Sequence, residues 1–321
     1  MVTNLLAQAL TLLVSLVALA KFSQYVIENA RTLARYFKIS EVVAGFVLIA
    51  GATSLPELSV AIMSSSQKEG AIAVGNVLGS NIADLAIVLA TCAIVTPLII
   101  KREEMFEISR ILLITSIIPL VLIYTGNLDK FGGLLLVVIF VAYVYYLSKK
   151  KITIDEKDHI TRDQALRAFL LFNISILGVL LSSSFAVNST IEISKLTGLA
   201  TTFIGATLLA LGTSLPEIAI DVQAVRKGLY SLALGDVMGS AMTNLTLVLG
   251  ITGLINPVVL DLDIFNTLMV FLLLTNITFM YFLQTNRRVT EKEGFILYGI
   301  FFIYLLAMAG VQLHVSQLLP F

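Results

Sequence analysis

Apolar residues run along this chain in ten long stretches, at 5–27, 42–63, 71–97, 108–124, 132–147, 165–185, 200–224, 231–254, 265–283 and 294–315. Short polar linkers separate them, the longest at 149–163. A helix needs about 20 mostly apolar residues to cross the hydrocarbon core of a bilayer. The pattern therefore predicts an all-α integral membrane protein with ten transmembrane helices. The first stretch is long, lacks a basic start and is one of a series, so it reads as a span rather than a cleaved signal.

Ten spans place both termini on one side. Of the 21 Lys and Arg residues, 17 fall in linkers on the other side and three, Lys68, Lys130 and Lys195, on the terminal side. Lys21 lies inside the first span and reads as a snorkelling side chain. Basic residues concentrate in cytoplasmic loops. The split predicts a cytoplasmic central linker and extracellular or periplasmic termini.

The chain also repeats itself. Shifted by 160 residues, 42–100 aligns with 202–260 without a gap, and 17 of the 59 pairs are identical. Thr53-Ser54-Leu55-Pro56-Glu57 returns as Thr213-Ser214-Leu215-Pro216-Glu217. Gly75-x-Val77-x-Gly79-Ser80 returns as Gly235-x-Val237-x-Gly239-Ser240, and Pro97 as Pro257. Five spans separate the copies. Five is odd, so the second copy crosses in the opposite sense, as in transporters built from inverted repeats. The domain plan is a five-helix half at 1–148, a cytoplasmic linker at 149–163 and a second five-helix half at 164–321.

Each repeat sets a carboxylate in mid-span, where insertion costs about 2.5–3.5 kcal/mol. Pro56 and Pro216 lack an N–H and clash with the preceding turn, so each helix is expected to kink or break there. Freed carbonyls must then line a cavity or meet a ligand. Ser80 and Asp84 are four residues apart and share one helix face. Their counterparts are Ser240 and Asn244. Gly75, Gly79, Gly235 and Gly239 are expected to allow close helix approach. The donor inventory is two Glu, one Asp, one Asn, hydroxyls and carbonyls. Such oxygens suit hard cations, with calcium taking six to eight of them. Soft transition metals want His or Cys.

Composition narrows the classes. The chain is 58% hydrophobic and 13% charged, where a soluble domain is about 45–50% apolar and about 25% charged. Formal net charge is zero, which argues against a nucleic-acid partner. One cysteine, Cys92, and two histidines, His159 and His314, cannot build a Cys/His zinc site. No phosphate-binding Gly-x-x-x-x-Gly-Lys motif occurs, and no span-free stretch is long enough for a catalytic domain, so an enzyme is not expected.

The repeated Thr-Ser-Leu-Pro-Glu and Gly-Asn/Asp-Val-x-Gly-Ser segments resemble the α-repeats of the cation/calcium antiporter superfamily, most closely its prokaryotic sodium/calcium exchangers. The resemblance covers the whole ten-span plan. It implies antiport of sodium against calcium by alternating access at a midplane site, with spans 1 and 6 sliding over a core of spans 2, 3, 7 and 8. By motif position it implies calcium ligands at Glu57, Glu217 and the carbonyls of Thr53 and Thr213. It implies sodium ligands at the carbonyls of Ala50 and Ala210 and the hydroxyls of Ser54, Ser80, Ser214 and Ser240. Asp84 and Asn244 fill the remaining core positions. The transported ions need no cofactor, and the partners are calcium, sodium or protons and the bilayer. A monomer in the cell (inner) membrane is expected.

Two departures stand out. Archaeal exchangers of this kind carry Asn in the first repeat and Asp in the second, whereas this chain has Asp84 and Asn244. Asp236 also stands where Asn is expected after Gly235. It reads either as a pathway residue or as a structural partner of the opposite repeat. Asp221, one turn beyond Glu217, reads either as an attractor of cations or as one half of an ion pair. A proton/calcium exchanger on the same core, and more distantly a cation channel, are the competing readings.

Overall fold

The computed structural model describes residues 2–36, 54–99, 102–125, 127–148, 160–259, 262–286 and 288–318. They form α1 (Val2–Tyr36), α2 (Leu55–Ser66), α3 (Gly70–Val95), α4 (Arg102–Thr125), α5 (Lys130–Ser148), α6 (Arg162–Thr197), α7 (201–213), α8 (Leu215–Arg226), α9 (Tyr230–Ile255), α10 (Leu262–Asn286) and α11 (Glu291–Leu318). Among the described residues, seven helical stretches are long and apolar enough to span a bilayer, one of them α7 and α8 together. The stretches at 108–124 and 132–147 form helices whose qualifying apolar segments are shorter, and most of 42–63 lies outside the described residues.

The 160-residue shift holds in the backbone as well as in the sequence. Leu55–Ser66 matches Leu215–Arg226, and both carry proline at the first or second helical position. Asp84–Leu89 and Asn244–Val248 both widen into π-helix, starting at residues 160 apart. The turns that follow α2 and α8 each need one residue in the left-handed region, Lys68 at φ 64° and Gly228 at φ 75°. Glycine takes that conformation freely and lysine does not.

Two strand pairs depart from the all-helical expectation. β1 (Leu98–Ile99) pairs antiparallel with β4 (Arg288–Val289), and β2 (Asn127–Leu128) with β3 (Val258–Val259). Pro97 and Pro257 end the preceding helices, and the next two residues are extended. Each pair ties one half of the chain to the other. Sequence offered no periodicity over two residues, so these strands could not be read from it.

Burial separates the helices into layers. The most apolar windows of α3 and α9 are 83% and 78% buried, against 22% for α1 and 28% for α11. α3 and α9 are the centre, and the large exposed side chains of α1, α5, α6 and α11, such as Leu10, Val138, Leu177 and Phe302, face outward. α1 and α6 run along each other on one flank of this core. α6 has 36 residues, or about 54 Å at 1.5 Å per residue, more than a bilayer core of about 30 Å. A tilt or an extension beyond the core accommodates the excess. Its start is fixed by a capping box between Thr161 and Gln164 and its end by Gly198 at φ 72°.

Candidate functional site

The site is assembled where the two repeats cross. Ser214 interrupts the seventh stretch, so α7 ends at Thr213 and α8 begins at Leu215. This is the break expected from Pro216. Ser54 holds the same position before α2, with φ −83° and ψ 9° against φ −81° and ψ 1° for Ser214. Glu57 and Glu217 therefore sit in the first turns of their helices. A helix start is the electrostatically favoured end for a carboxylate.

Contacts then cross from one repeat to the other. Ser214 Oγ donates to Asp84 Oδ1 at 2.8 Å. Ser54 Oγ and Ser240 Oγ are 3.3 Å apart, and Ser80 Oγ and Thr213 Oγ1 3.2 Å. Thr213 Oγ1 also lies 3.3 Å from Asn76 Oδ1 and from the Ala210 carbonyl. Asn244 Nδ2 reaches Ser240 Oγ at 3.4 Å and Asn81 Oδ1 at 3.5 Å. Glu57 lies against the Thr213 and Ser80 hydroxyls. The structure thus brings together Glu57, Asp84, Ser54, Ser80, Thr213, Ser214, Glu217, Ser240 and Asn244, all buried. Ala50 and Thr53 lie outside the described residues. The Ala210 carbonyl accepts from Thr213 Oγ1 and from the Ser214 amide at 3.1 Å. Asp236 is buried on α9, one turn before Ser240.

Sequence reasoning passed over Asn76 and Asn81. Asn76 is the first-repeat counterpart of Asp236, and that signal was available. Asn81 has Ala241 as its counterpart, so the repeat gave no pointer to it.

Glycines set the spacing. Gly75 and Gly79 on α3 press against the backbone of Thr202 and Ala206 on α7, leaving no room for a Cβ. Gly205 packs in return against Ile72, whose carbonyl would lie 2.6 Å from an added Cβ. Gly235 does not behave as its counterpart Gly75 does, because nothing among the described residues lies within 4 Å of an added Cβ. The counterparts of Thr202 and Ala206 in the first repeat, Val42 and Phe46, lie outside the described residues. Beside Gly79, α7 widens into π-helix over Gly205–Leu209, and the Tyr304 hydroxyl donates to the Ala206 carbonyl at 2.6 Å. π-Helical turns recur at functional sites because they re-aim backbone groups.

One property unites the carboxylates. Glu57 Oε2, Asp84 Oδ2, both Glu217 oxygens and the Asn244 side-chain oxygen are buried and receive no hydrogen bond from any described residue. A buried acceptor without a donor carries a desolvation penalty of about 1–3 kcal/mol, more when charged. Five such oxygens lie together with hydroxyls, and no described basic side chain is bonded to them, which makes this the candidate functional site of the bundle. Oxygen acceptors buried inside apolar helices of spanning length are the features of a membrane ion transporter.

Comparison with known proteins places the chain within this class. The sodium/calcium exchanger protein family matches it over residues 7–149 and 167–310. The chain belongs to that family, whose members are membrane antiporters. The sodium/calcium exchanger MaX1 of Methanosarcina acetivorans is 28% identical, over 93% of this chain and 97% of that protein. Two solved structures share the fold. One is the sodium-calcium exchanger NCX_Mj, with a TM-score of 0.66 and 24% identity over 94% of this chain and 99% of that one. The other is the H+/Ca2+ exchanger CAX, with a TM-score of 0.75 and 17% identity over 97% of this chain and 86% of that one.

Proposed function

We propose that the chain is a sodium/calcium antiporter, alternating access to one midplane site built by two inverted five-helix halves. The observation that carries this reading is the set of five buried acceptor oxygens without donors, drawn from Glu57, Asp84, Glu217 and Asn244. Anions held this close repel one another at a distance where water cannot screen them. The site therefore releases one cation only when another replaces it, and obligatory replacement is exchange. Calcium takes Glu57 and Glu217 with the carbonyls of Thr53 and Thr213. Sodium takes the hydroxyls of Ser54, Ser80, Ser214 and Ser240 with the carbonyls of Ala50 and Ala210. Asp84 and Asn244 complete the core.

Topology supports the ten-span plan. If all ten stretches cross, the linkers holding β1 and β4 lie six spans apart and those holding β2 and β3 four spans apart. Even separations put each pair on one side, as strand pairing requires. The linkers whose sequence carries Lys101, Arg102, Arg287 and Arg288 then both belong to the cytoplasmic face, with both termini outside. α1 and α6, packed on each other and largely facing outward, are the pair free to slide over the core. The protein works as a monomer in the cell (inner) membrane.

The test is calcium-45 uptake into sodium-loaded vesicles carrying Glu57→Gln or Glu217→Gln. Each variant should fold and lose uptake. Near-normal uptake by either removes the assignment.

A further inference from the structure

None of the proposed ligands lies on α11, yet this helix reaches both core repeats through two hydroxyls. Tyr304 is 0% exposed, and its hydroxyl donates to the Ala206 carbonyl of α7 at 2.6 Å. Tyr298, on the same helix, lies with its hydroxyl 2.7 Å from Thr91 Oγ1 of α3. Thr91 Oγ1 gives its own hydrogen to the Ile87 carbonyl at 2.6 Å, so Tyr298 is the donor of that contact. Both chains of bonds end on π-helical turns. Ala206 belongs to Gly205–Leu209 and Ile87 to Asp84–Leu89.

A π-turn needs such a donor. In an α-helix the Ala210 amide would donate to Ala206, four residues before it. Here it donates to the carbonyls of Gly205 and Thr207 instead. The buried Ala206 carbonyl has lost its α-helical donor, and water cannot stand in for one inside an apolar bundle. The Tyr304 hydroxyl takes that place. Its own position is fixed, because Phe271 and Phe301 pack on its ring with centroids 5.5 and 5.4 Å away. The Ala206 carbonyl also lies against Gly79 of α3, where a Cβ would not fit.

The choice between π and α at this turn decides how the site is aimed. A π-turn holds about one residue more than the α-helical turn it replaces, and one residue of helix is about 100° of rotation. Residues beyond the turn therefore face different ways in the two forms. In the π-form Thr213 Oγ1 lies 3.2 Å from Ser80 Oγ, and Ser214 donates to Asp84 at 2.8 Å. On α3 the π-turn begins at Asp84 itself. Each turn tied to α11 thus adjoins the residues that face one another across the two repeats.

We infer that Tyr304 is a positioning residue for cation binding. Its hydroxyl keeps α7 in the π-form that aims Thr213 and Ser214 into the site, and Tyr298 does the same for Asp84 on α3 through Thr91. The inference rests on the midplane site being the cation site proposed above. Phenylalanine at either position keeps the ring and removes only the hydroxyl, which separates aiming from packing.

Hydrogen–deuterium exchange and calcium-45 equilibrium dialysis of the purified full chain test this together. Tyr304→Phe should speed amide exchange over residues 205–211 and raise the calcium dissociation constant several-fold. Saturating calcium should restore slow exchange there, because the bound ion selects the π-form. Tyr298→Phe should give the same pair of effects over residues 84–91, independently of the first variant. Phe301→Leu loosens the packing around Tyr304 but keeps its hydroxyl. It should lower the thermal midpoint and leave the calcium dissociation constant nearly unchanged. Tyr304→Phe that binds calcium as the wild type does overturns the inference, as does a loss of binding no greater than that of Phe301→Leu at the same midpoint. A wild-type chain that binds no calcium removes the cation reading itself, whatever the exchange rates of the variants.

Discussion

Ser214 donates to Asp84 across the boundary between the repeats, at 2.8 Å, and its symmetry mate does something different. The equivalent pair would be Ser54 and Asn244. Ser54 lies instead 3.3 Å from Ser240, and Asn244 turns its amide toward Ser240 and Asn81. The carboxylate at position 84 and the amide at 244 thus break a symmetry that the backbone keeps.

A swap of the two follows as a prediction. Asp84→Asn keeps the acceptor for Ser214 but removes a charge from the site, and calcium transport should fall by tenfold or more, equivalent to about 1.4 kcal/mol. Asp84→Asn combined with Asn244→Asp restores the carboxylate count on the other side of the pseudo-twofold. It should transport calcium within a few-fold of wild type. Initial uptake rates at matched protein density check both.

The hydroxyls separate sodium from calcium. Ser54→Ala and Ser240→Ala each remove one member of the 3.3 Å pair while leaving every carboxylate in place. Half-maximal exchange should need several-fold more sodium, with calcium binding nearly unchanged. A sodium titration of exchange beside calcium-45 binding reads the two effects apart.

Glycines of similar motif position should respond differently. An added Cβ at Gly79 would fall 2.8 Å from the carbonyl carbon and Cα of Ala206, both backbone atoms that cannot turn aside. Gly79→Ala should destabilise by about 1–3 kcal/mol, the range for overpacked cores. Gly235→Ala meets nothing among the described residues within 4 Å and should stay within about 0.5 kcal/mol, as exposed substitutions do. Thermal unfolding in detergent distinguishes them.

Much of this was legible beforehand because of its physical cause. The hydrophobic blocks had to be long, since hydrocarbon leaves no partner for exposed backbone. Glu57 and Glu217 stood out because a mid-span carboxylate is expensive, and the identical spacing around them identified the repeat. The break at Ser214 followed from Pro216. What escaped notice depended on packing rather than pattern. Asn81 has no counterpart in the second repeat, and its place beside Asn244 comes from helix crossing alone. The two-residue strands carry too few positions to show a period.

The most direct test of exchange is calcium-45 uptake into proteoliposomes loaded with sodium, with pH clamped on both sides. Uptake should start with the outward sodium gradient, stop when that gradient is collapsed, and show no response to an imposed pH gradient. Uptake that ignores sodium and follows the pH gradient would contradict sodium coupling and make the protein a proton/calcium exchanger. Calcium entry that needs neither gradient would contradict exchange altogether.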